Sequence, residues 1–185
     1  MSLGVEERFA QGSGPELERT LVRLLGSRRH EAYLDIGGGT GALASLMSPK
    51  FSSVVVLEPS QRKASYGAKR GRSGFVRGVA EALPFTDESF DMISAVASFH
   101  HMTDQDRALA EMSRLMRRGG ILAVVEIDIG TTRGKVLRFL ETRIMRHNLH
   151  FPSREELERL VSSHSFRPVS WESLRRGSLL AAEKQ

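Results

Sequence analysis

Apolar positions along this chain keep switching between two rhythms. Leu17, Leu21, Leu24 and Leu25 recur at helical spacing, which predicts a helix over Pro15–Leu25 with Pro15 in its first turn after Ser13-Gly14. The compact apolar run Tyr33–Ile36 predicts a strand, and Leu43, Leu46 and Met47 predict a helix over Ala42–Met47. Val54–Leu57 reads as a buried strand ending at Glu58, followed by a polar helix over Gln61–Lys69 and a short strand over Gly74–Arg77. Phe90–Val96 is a further strand, entered from the turn-like Thr86–Ser89. Asp104 is placed to cap a helix that runs to Met116, turns Leu109, Met112, Leu115 and Met116 inward, and stops at Gly119-Gly120. Ile121–Ile127 is the most continuous apolar strand. Helices over Lys135–His147 and Ser153–His164 follow, the second opening with the capping-box order Ser153-Arg154-Glu155-Glu156. Phe166–Trp171 and Ser178–Glu183 close the chain as a hairpin.

Strands that alternate with helices predict an α/β fold, a doubly wound and mostly parallel sheet. With no helix between the final two strands, the last must run antiparallel. Ligands of such sheets sit beyond the carboxyl ends of the strands, at the switch point. Those ends carry Asp35, Glu58, Val79 and Val96, so these residues are expected to converge. No internal repeat or composition shift divides the 185 residues, which predicts a single domain over 1–185. Within it, 1–30 is an N-terminal helical segment and 128–152 a short insertion over the acceptor side.

Composition narrows the function classes. With no cysteine, disulfides, thiolate metal sites and thiol nucleophiles are all ruled out. No apolar run is long enough for a membrane span, and the first residues lack the basic-then-apolar order of a signal peptide, so a cytoplasmic location is expected. The formal charge of +5 permits acidic partners or RNA without pointing to either. His147-x-x-His150, and His100-His101 with Asp104, have no supporting acid pattern as metal ligands; no metal is expected.

The stretch Leu34-Asp35-Ile36-Gly37-Gly38-Gly39-Thr40-Gly41 carries the most chemistry. A strand with an acid near its end runs into glycines that let backbone approach a ligand, and the helix beyond offers unpaired N–H groups. The spacing G-x-G-x-G differs from the G-x-G-x-x-G of dinucleotide sites and favours S-adenosylmethionine (SAM) over a nicotinamide.

Further motifs follow in order: Leu57-Glu58-Pro59-Ser60, Gly78-Val79-Ala80-Glu81-Ala82-Leu83-Pro84-Phe85, Asp87–Asp91, His100-His101, and Arg117-Arg118-Gly119-Gly120. Taken together, the chain from about Ala32 to Glu126 resembles the class I SAM-dependent methyltransferases. Within them it looks most like the type 11 group that includes the ubiquinone and menaquinone C-methyltransferases. The resemblance implies a seven-stranded Rossmann-like sheet, SAM as cofactor and S-adenosylhomocysteine as product. It implies that Glu58 accepts from the ribose hydroxyls and Asp35 meets the ammonium directly or through water. Gly37, Gly39 and Gly41 would pass under the cofactor, with Thr40 offering its hydroxyl and N–H. Ala80 and Glu81 would hold the adenine edge through backbone N–H, with Pro59 and Leu83 covering its faces. Val79 and Val96 stand where the family often has Asp or Asn and Ser, two departures that each remove a hydrogen bond worth about 0.5–1.5 kcal/mol.

Methyl transfer from a sulfonium is an in-line displacement that needs a base only if the acceptor loses a proton. His100 and His101 are the candidate bases. The predicted function is methyl transfer to a small-molecule acceptor. The alternatives are a SAM-binding protein without turnover acting as an adapter, an RNA methyltransferase using the basic Lys69–Arg72 loop, and, more distantly, an NAD oxidoreductase. Phe9, within the N-terminal segment, and the basic amphipathic helix over Lys135–His147 are candidate covers for the acceptor. The short insertion implies an open acceptor pocket or one completed by a second subunit.

Overall fold

The computed structural model describes residues 5–26, 30–69, 73–127, 149–175 and 177–185. Seven strands form one sheet in the order β3-β2-β1-β4-β5-β7-β6. They are β1 (His30–Ile36), β2 (Phe51–Leu57), β3 (Gly74–Val76), β4 (Phe90–Val96), β5 (Met116–Glu126), β6 (Phe166–Leu174) and β7 (Gly177–Lys184). β1 to β5 pair in parallel, whereas β7 runs antiparallel between β5 and the edge strand β6. The chain therefore winds outward from β1 toward β3, then restarts at β4 beside β1. The switch point predicted from the alternation lies between β1 and β4.

The alternation of side chains sorts the apolar residues onto two faces. Leu34 and Ile36 of β1 and Leu122 and Val124 of β5 point to one, with Leu109 and Met112 of α4 (Gln105–Leu115) and Leu157 and Val161 of α5 (Arg154–Ser163). Tyr33 of β1 and Ala123 and Val125 of β5 point to the other, with Leu17 and Leu21 of α1 (Val5–Leu25) and Leu43 and Met47 of α2 (Ala42–Met47). Both faces are covered, which is why β4 and β5 read as nearly continuous apolar runs. α3 (Gln61–Ala68) packs near β3, where a Cβ on Gly67 would come within 2.3 Å of the Phe75 ring.

Two boundaries depart from expectation. Pro15 lies inside α1 rather than in its first turn, because the helix begins at Val5. The face carrying Leu17, Leu21 and Leu25 is nonetheless the buried one. Gly119-Gly120 do not end α4. The helix stops at Leu115, and the glycines lie within β5, where pairing jumps from Phe90↔Met116 to Met92↔Ile121. Gly119 adopts φ +73° to make that bulge. Several strands are also longer than expected, β1 starting at His30, β2 at Phe51 and β5 at Met116, but the expected caps are present: Asp104 accepts from the Arg107 N–H at 3.0 Å, and Ser153 and Glu156 complete a capping box. No described helix is long and apolar enough to cross a membrane. The helix expected over 135–147, with His147, and residues 70–72 of the basic loop lie outside the described residues, and the Phe9 side chain is likewise not described.

Candidate active site

The glycine turn after β1 is held by the strands on both sides of it. Gly37, Gly39 and Gly41 all have left-handed backbone, with φ of +70°, +58° and +76°. The Gly37 N–H donates to the Leu57 carbonyl at 2.8 Å. A Cβ at Gly37 would sit 2.5 Å from that of Ser98, so the turn packs directly on the segment leaving β4. Gly38 passes over Asp35, where a Cβ would come 2.4 Å from Oδ2. Backbone this close to its neighbours tolerates only glycine.

Glu58 ties this turn to β2. Its side chain is buried, with Oε2 accepting from the Gly39 N–H at 3.0 Å and Oε1 from the Ser60 N–H at 2.8 Å. A carboxylate accepts hydrogen bonds on both oxygens, so Glu58 can fix backbone and face the cleft wall at once. Asp35 lies deeper. Its Oδ1 accepts from the Ser94 hydroxyl at 2.7 Å, and Ser94 in turn lies 2.6 Å from the Tyr33 hydroxyl. Burial pushes the Asp35 carboxyl up to about 6, against the opposing pull of the Ser94 and Tyr33 hydrogen bonds. Burial, with Asp35 close by, also pushes the Tyr33 phenol well above its usual range.

A cleft of about 640 Å³ opens at the carboxyl ends of the strands. One side is formed by Ile36, Gly37, Leu57, Glu58 and Pro59, with Lys63 from the first turn of α3. The loop leaving β3, Gly78–Glu81, forms the next wall. The remaining side is Ser98, His101, Met102 and Thr103, with Leu149 arriving from far along the chain.

The loop after β3 is braced from outside the cleft. Arg114 of α4 donates to the carbonyls of Leu83 (3.1 Å) and Phe85 (2.9 Å) and pairs with Glu111 and Asp87 at 2.7 Å each. Glu111 accepts from the Leu83 N–H at 2.9 Å. These contacts raise the Arg114 guanidinium further above its usual range and lower Glu111 below the carboxylate norm, the ion pair being the main cause of both. Glu81 spans the cleft rim, its Oε1 accepting from the N–H groups of Thr103 (2.8 Å) and Asp104 (3.3 Å).

Several sequence-derived candidates therefore converge: Gly37, Glu58, Pro59, Val79, Ala80, Glu81 and His101 all line the cleft. Others take supporting places. Asp35 lies beneath the glycine turn rather than in the wall, and Thr40 and Gly41 are not part of the cleft lining, Gly41 facing the Phe75 ring. Gly39 serves as the backbone donor to Glu58. Two further candidates lie elsewhere. Leu83 belongs to the hydrophobic core rather than to the cleft. Val96 packs on the opposite apolar cluster, because it points to the α1 and α2 face of the sheet. Ser98, two residues on, reaches the cleft after the left-handed Ala97 (φ +47°) redirects the chain, and it donates to the Ile36 carbonyl at 2.8 Å.

The two histidines separate. His100 is buried, its Nδ1 2.6 Å from Glu126 Oε2, its ring stacked on Phe151 at 4.2 Å between centroids. His101 borders the cleft and contacts the His100 ring at 4.2 Å. Neither Glu126 nor Phe151 carried a sequence signal, since each gains meaning only from a partner far along the chain. Lys63, Ser98, Met102, Thr103 and Leu149 were likewise invisible. Among the described residues, no group of three or more His, Cys, Asp or Glu side chains is arranged to hold a metal.

Comparison with known proteins agrees with this architecture. A methyltransferase-domain family profile matches residues 34–124. The chain is 30% identical over 177 residues to the O-methyltransferase rstn1 of Aspergillus nomiae, covering 90% of this chain and 77% of that protein. It is 38% identical over 142 residues to the ubiquinone/menaquinone biosynthesis C-methyltransferase UbiE of Hahella chejuensis. That match covers 69% of this chain and 52% of the relative, so the chain spans about half the length of such relatives. Among solved structures, a SAM-dependent methyltransferase from Thermotoga maritima, described as a possible histamine N-methyltransferase, superposes with a TM-score of 0.75 at 26% identity. It covers 98% of this chain and 92% of that one. With the strand order, the glycine turn and these relatives in agreement, the chain belongs to the class I SAM-dependent methyltransferases, in the type 11 group.

Proposed function

We propose that this chain binds SAM in the cleft at the carboxyl ends of β1, β2 and β4 and transfers its methyl group to a small molecule. The observation that carries the reading is the placement of the Glu58 carboxylate in the cleft wall, between the Gly37–Gly41 turn and Pro59 and opposite Gly78–Glu81. The cradle fits an adenosyl group: backbone approaches closely where glycine alone is tolerated, and an acceptor-rich acid stands beside an apolar wall. Glu58 would take the ribose hydroxyls and Pro59 one adenine face. Ala80 and Glu81 would hold the adenine edge through backbone N–H groups, Asp35 would compensate the ammonium from beneath the turn, and Val79 contributes apolar contact only. When bound, SAM supplies a methyl group already activated on a sulfonium. The protein then has to align the acceptor and exclude water.

Small-molecule acceptors are favoured by the size of the cleft and by Met102 and Leu149 in its lining. Relatives named for O-methylation and for quinone C-methylation support the same class. The test is calorimetric titration with S-adenosylhomocysteine and, separately, NAD, followed by methyl-transfer assays with labelled SAM. Micromolar binding of the adenosyl ligand without NAD binding supports the reading. A folded protein that binds neither would overturn it.

A further inference from the structure

Away from the cleft, the end of β7 seats an amine between neutral groups. Lys184 is the last residue of that strand, which runs antiparallel between β5 and β6. Glu183 stands opposite Ile121 on β5, and Lys184 opposite Phe166 on β6. Alternation sends the two side chains to different faces of the sheet. Glu183 pairs with Arg167 at 2.7 Å. Lys184 shares its face with Leu180, Ala182 and Phe166, the apolar cluster that α4 covers. There its Nζ donates to the Ser113 hydroxyl of α4 at 2.8 Å and lies 5.7 Å from the centre of the buried Phe166 ring. Among the described residues, no carboxylate forms an ion pair with Lys184. The strand end is held as well, since the Gln185 N–H donates to the Ser165 carbonyl at 3.0 Å.

The charges around this amine come from two neighbouring segments. Arg118 is exposed on the bulge that opens β5, close to the level of Lys184 because Ile121 pairs with Glu183. Glu88 lies in the turn before β4. Arg114 and Arg117 are engaged elsewhere, with Glu111 and Asp87 and with Asp91. Burial pushes the Lys184 amine below its usual range, Arg118 pushes the same way, and Glu88 opposes them with the smallest effect of the three.

We infer that Lys184 is an acylation site that takes small acyl phosphates, with Arg118 holding the phosphate end of the reagent. A lysine becomes a nucleophile when it is desolvated or set beside another cation, and this one is both. A guanidinium matches the geometry of a phosphate, so one surface offers an anion holder next to an amine. Ser113 accepts one N–H of the neutral amine and leaves its lone pair free. None of Ser113, Arg118, Phe166 and Lys184 lines the cleft, so the site stands whether or not the cleft binds SAM.

The step balances with the acyl phosphate as its one co-reactant. The Nζ lone pair forms a bond to the acyl carbon, and the bond from that carbon to the phosphate oxygen breaks. Its electron pair leaves on phosphate, which also takes the surplus proton from nitrogen. The products are a neutral amide and inorganic phosphate, and nothing is oxidised or reduced. The amide no longer places a positive charge over Phe166.

The test treats the whole protein with acetyl phosphate and follows each lysine by peptide mass spectrometry. The other lysines are Lys50, Lys63, Lys69 and Lys135, and the exposed Lys69 is the internal reference. Lys184 is expected to acetylate at least about fivefold faster than Lys69 at neutral pH, and its rate should level off at a lower pH. Inorganic phosphate should slow Lys184 and leave Lys69 unchanged. Arg118→Gln, a change at an exposed position, should cut the Lys184 rate several-fold with acetyl phosphate and less with 4-nitrophenyl acetate, an acyl donor without a phosphate. Equal rates at Lys184 and Lys69 would overturn the inference. So would a Lys184 rate that neither inorganic phosphate nor Arg118→Gln reduces.

Discussion

The two sides of the cleft are built by different means. On the side of β1, β2 and the loop after β3, side chains hold backbone: Glu58 bonds Gly39 and Ser60, Glu111 bonds Leu83, and Arg114 bonds Leu83 and Phe85. On the side of β4 and β5, rings stack on rings, with His101, His100 and Phe151 in series and one carboxylate behind them. The first arrangement defines a rigid surface whose shape is set by main chain and hardly depends on the exposed side chains. The second is shaped by side chains packed on one another. A ligand common to a whole family suits the first side, and an acceptor that differs between members suits the second.

The sharpest way to break this division is Glu58→Ala. The substitution removes an acceptor from two backbone N–H groups and, on our reading, from the ribose. Affinity for S-adenosylhomocysteine should fall by about 100-fold, on the order of 3 kcal/mol. A fall of under threefold by calorimetry would mean that the Glu58 side of the cleft does not hold the nucleoside.

Asp35 gives the next largest effect, and it depends on pH. Its folded carboxyl keeps a proton up to about pH 6, whereas its ordinary value is 3.8. Between these values the folded chain binds more protons than the unfolded one. This contribution to stability is complete below the lower value and is lost as pH rises through the upper, a change on the order of 3 kcal/mol. Denaturant unfolding should show that decline in the wild type and not in Asp35→Asn. If the carboxylate meets the cofactor ammonium, affinity for SAM should rise over the same interval, and a pH-independent affinity would place Asp35 outside the recognition of the ligand.

Arg114→Ala tests the outer brace. Its carbonyl and Glu111 contacts are worth about 1–2 kcal/mol of stability, while the bond to Asp87, which is 73% exposed on that partner, adds little. The cofactor should bind several-fold more weakly and 5′-methylthioadenosine should weaken in parallel, because the braced loop lines the cleft and, on our reading, holds the adenine. An unchanged affinity for both would detach the brace from binding. The smallest effect belongs to Ser153→Ala, which removes the α5 cap and about 1 kcal/mol of stability by thermal unfolding, leaving affinity for the adenosyl ligand unaltered.

The same division explains what was legible in the sequence. The strands, the antiparallel last strand and most helix ends followed from periodicity and caps, because α2, β4 and the caps at Asp104 and Ser153 are decided by neighbours within a few residues. The Gly119-Gly120 pair misled because two glycines signal a break equally well for a helix end and a strand bulge, and pairing with β4 decided between them. On the cofactor side, Glu58 and the glycine turn lie in contiguous motifs and were readable. Val96 and Leu83 pack in the apolar clusters rather than along the cleft, which strand alternation decides for Val96 and packing against distant residues for Leu83. On the acceptor side, the sequence placed two histidines together but contained nothing to separate them. That separation depends on Glu126 and Phe151, 26 and 51 residues from His100.

On our reading, one cleft at the carboxyl ends of β1, β2 and β4 holds the adenosyl group. Hydrogen–deuterium exchange with and without S-adenosylhomocysteine tests it most directly. The account predicts slowed exchange at Gly37–Gly41, Glu58–Ser60 and Gly78–Ala82, with β6 and β7 unchanged. Protection confined to other segments, or saturating ligand with no protection at the glycine turn, would contradict it.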